Sequence, residues 1–460
     1  MITPFPSQLE AVDWFFNDAK QKGIIADEMG LGKTGAVYLA WKRAGFPKPC
    51  LLIAGRNAQV AWLNQAADFG CPKPILIRGK SAAERKELWD KYGDGFVSVT
   101  RESLKRDVKI GNVNPYKWKA VIDDEVHKDA NRKTQNYETL KMVCRNAAFI
   151  CFTSGSIARR GPQSLYGPLS IVRPQQYKSY WKFVNTYCLT EQGPYGLEIV
   201  GTKNEAQLQR ELATIVLRRT KAEARPGMPP KIRDVDSNVL EMSPSQKLMY
   251  NEMVRESIYE LKDGSGDVVT SASILAKMQR LRQILLTPKL LDPSAEYGAA
   301  IDRCVEMLED ADDQHMAIFT PFASAIPIIK SRLLEEKYDA RRIICLRGGL
   351  QTDQLSEAIA HFKAVRGIAI CSIKYAESFD LIPASWGVFV GFEWDAWDNM
   401  QAEDRLHRGE IERTVNLYYL RHQDGIDTEL ILPALDTKTA NVMAVLKDLN
   451  KVRQLLKLAK

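Results

Sequence analysis

The 460-residue chain has no C-x-x-C pair, few histidines, no long apolar run, no internal repeat and no low-complexity tract. Its eight cysteines (Cys50, Cys71, Cys144, Cys151, Cys188, Cys304, Cys345, Cys371) are scattered and mostly sit in apolar surroundings. They read as buried reduced thiols, not as ligands or disulfides. The five histidines, at 127, 315, 361, 407 and 422, are equally dispersed, which argues against a zinc site. No apolar stretch approaches the ~18 residues of a membrane span, and the first residues show neither a basic nor an apolar leader region. A cytosolic protein with no membrane partner is expected. What is present is an ordinary globular composition, 45% hydrophobic and 26% charged, and the length implies about three domain-sized units. A net charge of +7 permits a polyanionic partner without demanding one.

The chain is organised around IIADEMGLGKT at 24–34, an apolar run followed by a glycine-punctuated turn and then Lys-Thr opening an amphipathic segment. That order suits a nucleotide phosphate cradle. Gly30 and Gly32 let backbone N–H groups close on phosphate, the helix N-terminus attracts anions, Lys33 can neutralise the β/γ charge and Thr34 can hold Mg²⁺. A strict cradle pattern would have glycine at Asp27, so this is a relaxed version. Upstream, Gln8 starts a helix; its amide offers a donor and an acceptor together, which matches the N6/N7 edge of adenine.

Apolar runs at 49–54, 74–79, 96–100, 120–124 and 147–152 read as buried strands alternating with helices. Such alternation means a parallel sheet covered on both faces, with ligands at the carboxyl ends of the strands. Arg56, Arg78, Thr100 and Arg101 lie at such ends. The run Asp123-Asp124-Glu125-Val126-His127 puts carboxylates at a strand tip. A phosphate-bound Mg²⁺ needs one carboxylate, and hydrolysis needs another group to orient the attacking water. The reading assigns Asp124 to the metal and Glu125 to the water, with Asp123 as the rival for either role. Thr153, Ser154 and Gly155 close the next strand, where hydroxyls could sense the phosphate state. Late in the chain, Gln401, Arg405 and Arg408 recur at spacings of four and three, which predicts one helical face ending at Gly409. Two guanidiniums aimed alike suit a γ-phosphate transition state.

In this order the features resemble the Swi/Snf-type ATPases of helicase superfamily two. Pro6-Ser7-Gln8 is similar to the family's adenine-reading entry, ADEMGLGKT at 26–34 to its cradle, and LLIAGRNAQVAWLNQ at 51–65 to its next motif. VIDDEVH at 121–127 is similar to its Asp-Glu-x-His box, TSGS at 153–156 stands for Thr-Gly-Thr-Pro, and LRRTKAEARPGMPPK at 217–231 resembles the junction between its lobes. The resemblance implies an α/β fold of two RecA-like lobes with ATP and Mg²⁺ in the cleft between them. It divides the chain into an N-terminal lobe at 1–225 with a helical protrusion at about 157–215, and a linker with a second helical protrusion at 226–296. A C-terminal lobe follows at 297–438, then a basic helix at 439–460. It makes Arg405 and Arg408 arginine fingers, and gives His127, the 153–155 turn and Gln401 coupling roles.

The activity implied is that of an ATP-dependent motor tracking along double-stranded DNA as a monomer. Arg56, Thr100, Arg101, Arg347, Gly348 and Lys374 are candidate DNA contacts, with Arg159, Arg160, Arg218, Arg219, Lys277, Arg280 and Arg282 as further phosphate contacts. Two alternatives stay open: a helicase or fork-remodelling annealer acting on forked or single-stranded DNA, and an ATP-gated switch with little translocation. The absence of a histone-reading, zinc or nuclease module points to a minimal bacterial or viral member. The main departure is at 374–381, where the family's Gly-Gly-x-Gly-Leu-Asn-Leu loop is replaced by KYAESFDL, which loses the glycines and gains Glu377 and Asp380.

Overall fold

Short apolar runs bounded by glycine, proline or polar turns favour strands buried on both faces, and here they assemble into two wholly parallel sheets. The computed structural model describes residues 2–155, 157–159, 161–193, 196–262, 271–311, 314–409, 411–433 and 435. The chain divides into two compact units between Gly227 and Met228.

In the first unit β1 (Lys22–Ile25), β2 (Cys50–Ile53), β3 (Ile75–Leu76), β4 (Phe96–Val99), β5 (Ala120–Asp124) and β6 (Phe149–Thr153) precede a two-stranded ribbon. The ribbon is β7 (Cys188–Gly193) with β8 (Gly196–Thr202), and β9 (Val216–Leu217) follows. The sheet order is β3-β4-β2-β5-β6-β1-β9. Helices α1 (Pro6–Asn17), α2 (Lys33–Arg43), α3 (Arg56–Gln65), α4 (Ala82–Tyr92), α5 (Arg101–Lys109) and α6 (Gln135–Cys144) alternate with the strands. Ser81, Thr100 and Thr134 cap α4, α5 and α6 by accepting a backbone N–H two or three residues into each helix. Phe15, Trp41, Trp62 and Phe149 are fully enclosed in the core on one side of the sheet. Each such side chain stabilises the unit by roughly 1.5–3 kcal/mol through burial.

The expected helical protrusion at 157–215 is a correction. It contains α7 (Tyr166–Val172), α8 (Tyr180–Tyr187) and α9 (Glu205–Leu212), but the antiparallel ribbon β7–β8 lies between the last two. β-branched Thr190, Ile199 and Val200 on either side of the sequence Gly-Pro-Tyr-Gly favour strand over helix there.

After α10 (Lys221–Ala224), the second unit opens with β10 (Lys231–Asp234) and β11 (Val239–Leu240), then α11 (Pro244–Lys262), α12 (Ser271–Leu286) and α13 (Ala299–Asp310). β12 (Met316–Thr320), β13 (Ile343–Leu346), β14 (Ile368–Ser372), β15 (Trp386–Phe389), β16 (Val415–Tyr419) and β17 (Arg421–His422) complete the strands. They are interspersed with α14 (Ile326–Glu335), α15 (Thr352–Ala364) and α16 (Ala396–Glu403). The sheet order is β10-β16-β15-β12-β14-β13, and β11 pairs separately with β17. Within the stretch at 226–296, expected as a linker and helical protrusion, β10 supplies an edge strand of the second sheet. It has no apolar run to announce it, because Lys231 and Arg233 alternate along β10 and both pair with the buried carboxylate of Glu403. The basic helix expected at 439–460 lies outside the described residues.

Candidate functional site

In the first sheet β5, β6, β1 and β9 are consecutive neighbours, so four carboxyl ends converge on one edge. The turn leaving β1 forms the cradle. Gly30 and Gly32 have φ of 83° and 75°, conformations that glycine adopts without strain. Lys33 opens α2, and its Nζ donates to the carbonyls of Asp27 (2.8 Å) and Glu28 (3.3 Å). Burial pushes its ammonium pKa below the usual lysine range, outweighing nearby Glu125 and Asp27. Asp27, standing where a strict cradle has glycine, is 2% exposed and receives a two-nitrogen fork from Arg219, Nε to Oδ1 at 3.2 Å and Nη2 to Oδ2 at 2.5 Å. Gln8 is engaged at both ends of its amide, accepting from the Phe5 N–H (2.9 Å) and donating to the Gly32 carbonyl (2.9 Å). A Cβ at Gly32 or Gly35 would meet the Gln8 nitrogen at 2.6 or 2.3 Å. In this structure the expected adenine reader is a latch on the cradle.

The carboxylates follow at the end of β5. Asp124 is held at both oxygens: the Trp62 indole N–H donates to Oδ2 (3.0 Å) and the Thr153 hydroxyl to Oδ1 (2.6 Å). Trp62 was the residue that motif reading passed over. An indole N–H buried on α3 needs an acceptor, and that requirement was the available signal. Glu125 sits at φ 65°, a left-handed conformation unusual for a residue with a side chain. Burial alone would raise the pKa of its carboxyl, but His127 and Lys33 hold it well below the usual range. His127 Nδ1 lies 3.1 Å from Glu125 and 2.9 Å from the Ser154 hydroxyl, joining the acidic turn to the 153–155 turn. Gly155 packs against the Met29 side chain of the cradle, leaving 2.8 Å for any added Cβ.

In the second unit Arg405 and Arg408 each direct Nη1 at Asp380 Oδ1, at 3.4 and 2.7 Å. They do not share a helical face with Gln401. α16 stops at Glu403, because Glu403 and Asp404 turn inward to Lys231. The arginines converge from the turns beyond, which end at Gly409 with φ 73°. Gln401 is 2% exposed, and its Nε2 has no partner among the described residues.

With this geometry in view, the sequence model of the SNF2-related domain matches residues 7–290. The chain belongs to the SNF2-related domain family. Among curated relatives it is 22% identical over 449 residues to "ISWI chromatin-remodeling complex ATPase CHR17" of Arabidopsis thaliana, covering 92% of this chain and 40% of that one. It is 25% identical over 423 residues to "DNA annealing helicase and endonuclease ZRANB3" of Bos taurus, covering 88% and 37%. An "Uncharacterized ATP-dependent helicase" of Mycoplasma pneumoniae is 22% identical over 456 residues, covering 96% and 42%. The chain thus spans about two fifths of the length of these relatives. Among solved structures, "Sulfolobus solfataricus SWI2/SNF2 ATPase core in complex with dsDNA" aligns with a TM-score of 0.44 and 21% identity, covering 98% of this chain and 95% of that one.

Within this SNF2-related chain several sequence-stated roles change. Asp123 is fully buried and pairs with Arg101, which also reaches Asp129 (2.5 Å) and the carbonyls of Asp124 and Glu125. Burial, partly offset by Arg101, raises the Asp123 pKa well above the usual range. Asp123 is therefore a brace behind the acidic turn. Arg101, 8% exposed, cannot be the DNA contact expected of it, because its guanidinium is consumed by that brace. Thr100 spends its hydroxyl on the α5 cap. Arg218, Arg219 and Arg282 are also buried, with internal acceptors at Ala26, Asp27 and Phe392. Arg56, Arg347 and Gly348 are exposed, and Lys374 is exposed while reaching Glu393 at 3.4 Å. Arg160 lies outside the described residues.

Proposed function

We propose that the protein is an ATPase that uses Mg²⁺ and drives movement along double-stranded DNA. The observation that carries this reading is the convergence, on adjacent strand ends, of the Lys33 cradle, the doubly held Asp124 carboxylate and Glu125 beside His127. The donor set fits Mg²⁺. Asp124 is oriented through one donor per oxygen, Thr34 adds a hydroxyl, and a cation that keeps most of its water needs only one or two such protein ligands beside the phosphates. When bound, the ion would neutralise phosphate charge.

In this reading Lys33 binds phosphate, and Glu125, kept ionised by His127, orients the attacking water and accepts its proton. Arg405 and Arg408 supply positive charge to the transferring phosphoryl group. Exposed Arg56, Arg347, Gly348 and Lys374 remain candidates for DNA backbone contacts, so the grip should be largely independent of sequence and weakened by salt. The named activities of the curated relatives, chromatin remodelling and DNA annealing, support DNA as the track. The ZRANB3 similarity gives a second reading, annealing or remodelling of forked DNA on the same core.

The test is ATP turnover with no nucleic acid, duplex DNA, single-stranded DNA, forked DNA or RNA at two salt concentrations, with Lys33→Ala and Glu125→Gln as controls. Stimulation by duplex that both variants lose is the expected result. Stimulation by forks or single strands alone would transfer the proposal to the annealing reading. Turnover indifferent to every nucleic acid would overturn both.

A further inference from the structure

We infer that Arg219 is a positioning residue of the phosphate cradle, acting through Asp27 on Lys33. The inference rests on the cradle reading above and deepens it. Three consecutive cradle residues are tied to the segment that follows β9. The Ala26 N–H donates to the Leu217 carbonyl (2.7 Å) and the Glu28 N–H to the Arg219 carbonyl (2.9 Å), while the Lys221 N–H donates to Glu28 Oε2 (2.8 Å). Arg218 adds bonds to the carbonyls of Ala26 (2.7 Å) and Gly155 (3.1 Å), joining the cradle to the turn after β6. Between these lies a tie made wholly by side chains, the Arg219–Asp27 fork, enclosed at 7% and 3% side-chain exposure. The third guanidinium nitrogen reaches Glu10 of α1 (3.0 Å), so a single arginine spans α1, the cradle and the β9 exit.

The fork matters because of where Lys33 rests. Its ammonium hangs on the carbonyls of Asp27 and Glu28, so the backbone that the Arg219 fork fixes is the backbone that holds the phosphate-binding lysine. Two of the three Lys33 ammonium donors are held by those carbonyls. Whenever a phosphate draws one of them away, the Asp27 backbone depends on Arg219 for its place. Glycine at 27, as in the strict pattern, would have no side chain to anchor. Aspartate converts a turn of free backbone into one referenced to β9, at the cost of requiring a planar two-nitrogen partner that lysine cannot imitate.

The experiment uses the full chain and a fluorescent ADP analogue with Mg²⁺. Arg219→Lys and Asp27→Asn should each fold, as judged by circular dichroism and thermal melting. Each should weaken analogue binding by about tenfold to hundredfold, the scale of a lost charge-assisted hydrogen-bond pair. The double variant should be little worse than either single one. In hydrogen exchange, the analogue should protect 217–221 together with 26–34 in the wild type, and only 26–34 in Arg219→Lys. Wild-type affinity in a folded Arg219→Lys, or additive losses in the double variant, would overturn the inference and leave the pair a structural one. A wild type that binds no analogue would overturn the cradle reading itself, and the inference with it.

Discussion

Two arginine–carboxylate constellations in this chain look alike on paper and differ in water. In the first unit Asp27 with Arg219, and Asp123 and Asp129 with Arg101, are enclosed, every partner below a tenth exposed. In the second, Asp380 faces Arg408 and Arg405 with more than a third of its side chain in solvent. Buried charges must stay paired, since parting them strands an ion in low dielectric. Exposed charges can exchange partners at little cost. The enclosed pairs therefore hold geometry, and in the open one the Arg408 guanidinium, with 35% of its side chain in solvent, can exchange Asp380 for another anion.

The sharpest way to break that comparison is Arg408→Ala. If the open pair serves chemistry, ATP turnover should fall about 10³–10⁵-fold, as for loss of an arginine finger. Stability should change by only about 0.5 kcal/mol, as for other surface substitutions. A large drop in melting temperature with modest loss of turnover would show the open pair to be a structural one. The converse test is Arg101→Ala, which leaves the Asp123 and Asp129 carboxylates enclosed without their cation. Destabilisation of about 3–5 kcal/mol in urea unfolding is expected. A variant of near wild-type stability would show that water reaches this brace and that enclosure is the wrong criterion.

Trp62→Phe sharpens the enclosed side with a neutral donor. The phenyl ring fills most of the indole's space but gives Asp124 Oδ2 no hydrogen bond, leaving Thr153 as the sole support. The Mg²⁺ concentration needed for half-maximal turnover should rise about 10–100-fold, as for other lost supports of a metal ligand. An unchanged Mg²⁺ requirement would mean that Thr153 alone orients the carboxylate.

The same contrast explains what could be read from the sequence. Which residues gather at the first sheet's edge was legible because each announces itself locally: glycines that must take positive φ, a Lys-Thr pair opening a helix, carboxylates ending an apolar run. Parallel sheets followed from apolar runs alternating with helices. Arg101, Arg219 and Arg282 read as DNA or phosphate contacts from sequence because their internal acceptors lie 22, 192 and 110 residues away, and no local pattern encodes a distant carboxylate or carbonyl. β10 is hidden for the same reason, being a strand whose Lys231 and Arg233 are satisfied by the distant, buried Glu403. α16 ends early because burial of Glu403 and Asp404 overrides the helical spacing of the arginines.

The smallest effect belongs to Asp380→Asn, and it is the most discriminating. Asn keeps an acceptor oxygen for Arg405 and Arg408 and removes only the charge, restoring the amide that the resemblance leads one to expect in this loop. An exposed ion pair contributes about 0–1 kcal/mol, so the fold should be indifferent. The two guanidiniums, each using Nη1 on the same oxygen, would lose their common counter-charge and attract phosphate more strongly. A severalfold fall in KM for ATP at low salt, vanishing at high salt as screening removes the difference, is the expected outcome. A fall in kcat instead, persisting at high salt, would mean that the carboxylate holds the arginines in working geometry, and the open pair would then belong with the enclosed ones.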